Sequence, residues 1–220
     1  MRAVRSYIRR AGRITKRQHN AYQRLYHHFG IAINRNELRL ADLFGREAPC
    51  ILEIGFGMGE VTAEIAARHP QNDYLAVEVH RAGIGNLVAL LEERDLTNVR
   101  IIEHDALEVV RHYLPANSLS AIHIYFPDPW PKKRHHKRRL IKAETAALFC
   151  QKQKKGGYIH VATDWQEYAL EILAIFNAEN GLQNTAEHFA SRPDWRPQTK
   201  FEQKARKAQR QTFDILFKRR

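Results

Sequence analysis

Residues 121–140 of this 220-residue chain join three unlike materials with no spacer between them. Ala121, Ile122, His123, Ile124, Tyr125 and Phe126 are apolar, β-branched and aromatic enough for an inner strand. Pro127, Pro129 and Pro131 then fix φ and restrict each preceding residue to extended conformations, so Asp128 and Trp130 are expected to be held rigidly. A carboxylate and a large aromatic face at a strand's C-terminal end suit a flat, hydrogen-bonding ligand such as a nucleobase. Trp130 has a second reading, as a core residue sealing the strand end. The run 132–139 that follows is almost wholly basic. Alone it reads as a solvated charge run or a localisation signal. Its attachment to strand, acid and aromatic favours a binding surface.

The other strands repeat part of this pattern. Residues 50–60 read as a buried strand, a glycine turn (Gly55, Gly57, Gly59) and the start of a helix over 60–68. The G-x-G-x-G spacing is not the G-x-G-x-x-G of dinucleotide enzymes. Glu53, just before the turn, is unwelcome beside a pyrophosphate and suits a cofactor with a cationic amino group, such as the methionine end of S-adenosylmethionine. A purely structural strand-to-helix turn is the competing reading. A second strand over 74–79 carries Glu78 near its end, about 20 residues beyond the glycines, where a doubly wound fold places an acid on ribose hydroxyls. A third, 99–103, leads to Asp105, which either reaches an adenine amino group or N-caps a helix over 106–113. Glu53, Glu78, Asp105 and Asp128 thus fall at the carboxyl ends of successive strands, the ligand-binding edge of open α/β sheets.

Farther on, a helix is expected near 143–154, a break at Gly156-Gly157, and a fifth strand over 158–163. Asp164 follows, either as a site residue or as the N-cap of a helix over 166–176. The strand pattern at 212–217 is expected to pair antiparallel with one near 182–187. Residues 1–36 contain no acid and crowd Arg2, Arg5, Arg9, Arg10, Arg13, Lys16 and Arg17 together, a basic arm with a short helix over 18–29 pinning it to a domain spanning 37–220. The 36 Lys and Arg against 24 Asp and Glu, a formal net charge of +12, make a polyanion the natural partner. No stretch approaches the roughly 20 apolar residues of a spanning helix, so membrane is not expected. Two cysteines, Cys50 and Cys150, without metal-type clustering predict a reduced, cytoplasmic protein with no metal site. Monomer and homodimer both stand.

In order along the chain, Glu53-Ile-Gly-Phe-Gly-Met-Gly59, Glu78-Val-His80, Asp105-Ala106, Phe126-Pro-Asp-Pro-Trp-Pro-Lys-Lys-Arg-His135, Lys137-Arg-Arg139, Ala162-Thr-Asp-Trp165 and Thr199-Lys-Phe-Glu202 match motifs of one family. The chain resembles the bacterial tRNA (guanine-N7-)-methyltransferases over roughly residues 51–202, and the Pro-Asp-Pro-Trp run with its basic tail is the specific part. The resemblance implies a class I, Rossmann-like methyltransferase fold, mostly parallel with a C-terminal antiparallel strand. It also implies S-adenosylmethionine as donor and a guanine in the variable loop of tRNA as acceptor. It assigns Glu53, the three glycines, Glu78, Asp105 and Asp128 to the cofactor, with Asp128 also catalytic. Lys132, Asp164, Thr199, Lys200, Phe201 and Glu202 would bind substrate, and Arg134, His135, His136, Lys137, Arg138 and Arg139 would touch RNA. The alternatives are an RNA-binding protein of the same fold without catalysis, or a methyltransferase for another RNA or protein acceptor.

Overall fold

The computed structural model describes residues 6–7, 13–34 and 37–220, apart from the side chains of residues 200, 201, 204 and 206. The basic positions Arg2, Arg5, Arg9 and Arg10 therefore lie outside the described residues. A seven-stranded sheet runs β3-β2-β1-β4-β5-β7-β6. Its parallel part comprises β1 (Cys50–Ile54), β2 (Asp73–Glu78), β3 (Val99–Glu103), β4 (Leu119–Tyr125) and β5 (Gln153–Thr163). β7 (Phe213–Arg219) pairs antiparallel with both β5 and β6 (Leu182–Asn184), as expected from the terminal alternation. The order changes direction between β1 and β4, so the ends of these two strands open the crevice in which such sheets bind ligands.

Alternate side chains feed two apolar layers. Leu52, Leu75, Ile122 and Val161 pack with α5 (Ala106–His112), α6 (Ala143–Lys152) and α7 (Gln166–Asn177). Ile51, Tyr74, Ala76 and Ala121 face α1 (Lys16–Phe29), α3 (Glu60–Arg68) and α4 (Arg81–Glu93). Ala21 and Leu25 of α1 are buried there, and the Tyr22 hydroxyl donates to Glu103 at 2.5 Å. The described part of the basic arm is thus a structural layer of the domain.

Four local features depart from the expected ones. Gly156 and Gly157 do not break the chain but lie inside β5, where the register shifts opposite Leu119 and Ala121. Gly156 has φ +76°, and a Cβ on Gly157 would meet the Ser120 carbonyl at 2.9 Å, so the pair makes a bulge. The segments α2 (Leu40–Phe44), α4 and α8 (Lys200–Lys207) are helical although the sequence reading placed no helix there. Among the described residues no helix is long and apolar enough to cross a membrane.

Candidate active site

The glycine turn leaves the end of β1 as an open cradle. Gly55 and Gly57 have φ of +72° and +59°, and a Cβ on either would meet nothing within 4 Å, so the space above them is free for a ligand. The opposite side is tightly packed: a Cβ on Gly83 of α4 would lie 1.9 Å from the Gly57 carbonyl. Asn86 of α4 donates its side-chain amide to the Met58 carbonyl at 2.7 Å. Gly83 and Asn86 were not foreseen as site residues; the signal was a glycine pair, Gly83 and Gly85, inside a helix, where glycine costs stability and calls for a packing reason.

The four strand-end acids come to the same edge in different environments. Glu78 is buried and accepts from the backbone N–H groups of Gly57 (3.0 Å), Val79 (2.7 Å) and His80 (3.1 Å), so it ties the glycine turn to β2. Glu53 is buried beneath the cradle, and burial pushes its carboxyl up to about 7. The neighbouring Thr62 hydroxyl opposes that rise, the Glu78 charge adds to it, and no cation among the described residues offsets it. Asp105 caps α5, its Oδ1 accepting from Leu107 N at 2.9 Å, and so takes the capping role. Asp128 is exposed and, with Glu78, lines a cleft of about 300 Å³ bounded by Gly55, Gly57 and His104. A second cleft of about 470 Å³, lined by Asp105, Lys137 and Arg138, adjoins it through the shared His104. An open glycine cradle, an uncompensated buried carboxyl and two further carboxylates fit a ligand with a cationic end and hydroxyl groups, and thus the expected donor.

The proline corner departs from the expected conformation. Phe126 and Trp130, each preceding a proline, have φ of +53° and +48° rather than extended values. Such aromatic residues cost on the order of 1 to 3 kcal/mol each in this region. The surroundings impose it. Phe126 N donates to the Ala162 carbonyl at 2.7 Å, and the Trp130 indole donates to the Ser6 carbonyl at 3.2 Å. The Arg138 guanidinium lies 4.0 Å above the Trp130 ring, and His135 meets the ring edge-on, so this buried indole is packed as a core residue.

The basic run forms a 3₁₀ turn, Lys133–Arg138, with Lys132, Lys133, Arg134 and Lys137 exposed and His135, His136 and Arg138 half-buried. Arg139, expected to touch RNA, is 1 % exposed, donates to the Pro129 carbonyl at 2.9 Å and pairs with Glu167 and Glu171, so in this fold it braces the proline corner from inside. His136, Glu167 and Glu171 bring potential metal ligands within 4.8 Å of one another, but Arg139 already pairs with both carboxylates.

At the far side of the same edge Asp164 pairs with Arg210 at 2.9 Å. Thr199 and Glu202 are buried and form the capping box of α8: Glu202 N donates to Thr199 Oγ1 at 3.0 Å, and Thr199 N donates to Glu202 Oε2 at 2.8 Å. Their motif therefore has a structural role that the residues themselves could have announced. The side chains of Lys200 and Phe201 lie outside the described residues.

Residues 47–215 match a family model described as "Putative methyltransferase". The chain is 51% identical over 219 residues to the tRNA (guanine-N(7)-)-methyltransferase of Nitrosospira multiformis, covering 100% of this chain and 96% of that protein. It is 49% identical to the one of Chromobacterium violaceum, with 100% and 97% covered. Solved structures share the fold at low identity: the 16S rRNA methyltransferase KamB has a TM-score of 0.58 at 13% identity, with 82% of this chain and 92% of that chain covered. The 30S ribosomal A1408 methyltransferase from an uncultured bacterium has a TM-score of 0.56 at 16% identity, with 87% and 98% covered. The glycine cradle, the carboxylates at the strand ends, the proline corner with its basic turn and half identity along the whole length agree, and the chain belongs to the tRNA (guanine-N7-)-methyltransferase family.

Proposed function

We propose that the chain transfers a methyl group from S-adenosylmethionine to N7 of a guanine in the variable loop of tRNA. What carries the reading is the convergence of Gly55, Gly57, Glu78 and Asp128 on one cleft, in a chain whose full-length relatives are named for that activity. S-adenosylmethionine supplies an electrophilic sulfonium methyl. Gly55 and Gly57 would admit it to the backbone, and Glu53 would gain the positive charge it lacks. Glu78 would take ribose hydroxyls while its remaining bonds hold the turn, and Asp105 would do for the base what its capping oxygen leaves free.

On the acceptor side the chemistry asks little of a base. Guanine N7 has an in-plane lone pair on the Hoogsteen edge and attacks without losing a proton. The chain must align the acceptor and offset the positive charge that grows on the purine. The Asp128 carboxylate, exposed at the cleft on a corner braced by Arg139, is the group for that task. Lys132, Lys133, Arg134 and Lys137 present cations to phosphates, which suits recognition of a folded RNA by shape and backbone. The test is to incubate the purified protein with labelled S-adenosylmethionine and bulk tRNA, then map the methyl. Label on N7 of a variable-loop guanine is expected; label elsewhere, or none with a folded protein, refutes the reading.

A further inference from the structure

One polar network is built on residues, Tyr125, His160, Arg196 and Asp214, that no motif used so far contains, and it reaches Glu202 of the Thr199–Glu202 motif at one end. It crosses three neighbouring strands on a single face of the sheet. Tyr125 of β4 pairs with Ala162 of β5, which pairs with Asp214 of β7, and His160 stands two residues before Ala162. The Asp214 carboxylate can only accept, so His160 donates to it through Nε2 at 2.7 Å. Nδ1 is then an acceptor, and the Tyr125 hydroxyl donates to it at 3.3 Å. Burial works to raise the Asp214 carboxyl, but the bonds from His160 and Arg196 outweigh it and hold it below the usual carboxylate range.

Arg196 closes the network. It is 1 % exposed and forks twice, to Asp214 through Nε (2.8 Å) and Nη2 (2.9 Å) and to Glu202 through Nη1 (2.6 Å) and Nη2 (2.9 Å). Glu202 is half of the capping box that starts α8. At the other end Tyr125 lines the cleft that holds Glu78 and Asp128. A buried ionic cluster of this kind is no more stabilising than a well-packed apolar one. What it adds is direction: each forked or single bond fixes an angle as well as a distance.

We propose that Arg196, Asp214 and His160 are positioning residues for methyl transfer, holding the capping box of α8 in register with Tyr125 at the donor cleft. The proposal rests on the reading of the chain as a tRNA methyltransferase. It makes the segment leading into α8 and the donor cleft one rigid unit, so that loosening either end misaligns the acceptor with the donor.

The test is a double-mutant cycle at the two ends of the network, Tyr125→Phe and Thr199→Ala, each removing one hydroxyl. Turnover is read at saturating tRNA and saturating donor. Each single change is expected to slow it on the order of ten- to a hundredfold, the scale for a small misplacement of reacting groups. The double variant should be no slower than the slower single, and Thr199→Ser should restore the rate. In an Arg196→Lys background, which keeps the charge and loses the forks, the coupling should vanish. If Arg196→Lys does not fold, the end-to-end cycle still decides. Effects that multiply, or variants that lose thermal stability with unchanged turnover, overturn the proposal. A wild-type chain that leaves tRNA unmethylated would refute the functional reading instead, whatever the cycle shows.

Discussion

The donor contact proposed for Glu53 would link binding to stability in a way that one substitution exposes. In the donor-free fold its carboxyl is pushed up to about 7 by burial, against an ordinary value of 4.5. The folded chain therefore binds more protons than the unfolded one between those values, and Glu53 becomes destabilising as pH rises through that window. At roughly 1.4 kcal/mol per tenfold, an ionised Glu53 at pH 8 costs the donor-free fold about 3 kcal/mol. Glu53→Gln, equal in size, is expected to recover up to that amount at pH 8 and nothing below pH 4. For a domain of this size that is a rise of about 6 to 12 °C in Tm. The same variant should bind S-adenosylmethionine at least about tenfold more weakly, the scale for losing a charged hydrogen bond. Calorimetry from pH 6 to pH 7.5 checks the link. The advantage of wild type over Glu53→Gln should shrink about fivefold between pH 7 and pH 6, as a carboxyl titrating near 7 is neutralised. The donor's own amino group titrates against both proteins, so the difference isolates Glu53. A variant with unchanged Tm and a wild-type pH profile would sink the argument.

Asp128→Asn should cut single-turnover methyl transfer on the order of a hundred- to a thousandfold, with tRNA affinity almost unchanged because many phosphate contacts carry it; near-normal chemistry would leave Asp128 as scaffold. Neutralising Lys133 and Arg134, both exposed, should lower the salt slope of tRNA binding by roughly one unit per lost phosphate contact, read by anisotropy against salt concentration. Arg139→Met should leave that slope alone and cost about 3 kcal/mol of stability, the low end for breaking a buried pair, because Glu167 and Glu171 reach water. Phe126→Gly removes the strain of φ +53° yet frees the corner, so turnover should fall more than stability, measured as kcat against Tm.

The parallel strands were legible because each carries a short apolar run with an acid at or just beyond its end, and an inner strand buried on both faces leaves little other choice. Helix α4 was not, since Gly83 and Gly85 depress its local propensity, and the Gly57 carbonyl that requires Gly83 is remote in sequence. The bulge in β5 carried the same ambiguity: a glycine pair reads as a break until its partner strand is known. Local rules also misled at the proline corner. A proline disfavours helical conformations before it, but the Ala162 carbonyl and the packing around Trp130 override that preference at Phe126 and Trp130. Arg139 looked like its basic neighbours and is buried because Glu167 and Glu171 come from α7. Arg196 carried no signal, as its partners lie 6 and 18 residues away and meet it only in the folded chain. The Thr199 and Glu202 capping box, by contrast, was readable from spacing alone.

The four acids at successive strand ends share a position without sharing a task, and their surroundings separate them. Glu53 is buried with no cation beside it among the described residues and is the one a neutral amide should make more stable. Glu78 is equally hidden but holds three backbone N–H groups, so losing its oxygens unties the glycine turn before any ligand is considered. Asp105 has committed one oxygen to α5, so its removal carries the usual cap cost of about 1 kcal/mol wherever the donor lies. Asp128 stands exposed on a braced corner, at the cleft where the proposed role would set its charge against a cation formed during reaction. Burial, backbone bonding, capping and exposure thus distribute one residue type over four roles. A uniform carboxylate-to-amide scan of this edge should accordingly raise stability at the first position, lower it at the second, leave it nearly unchanged at the third, where an Asn oxygen caps as well as an Asp one, and change mainly the rate at the fourth.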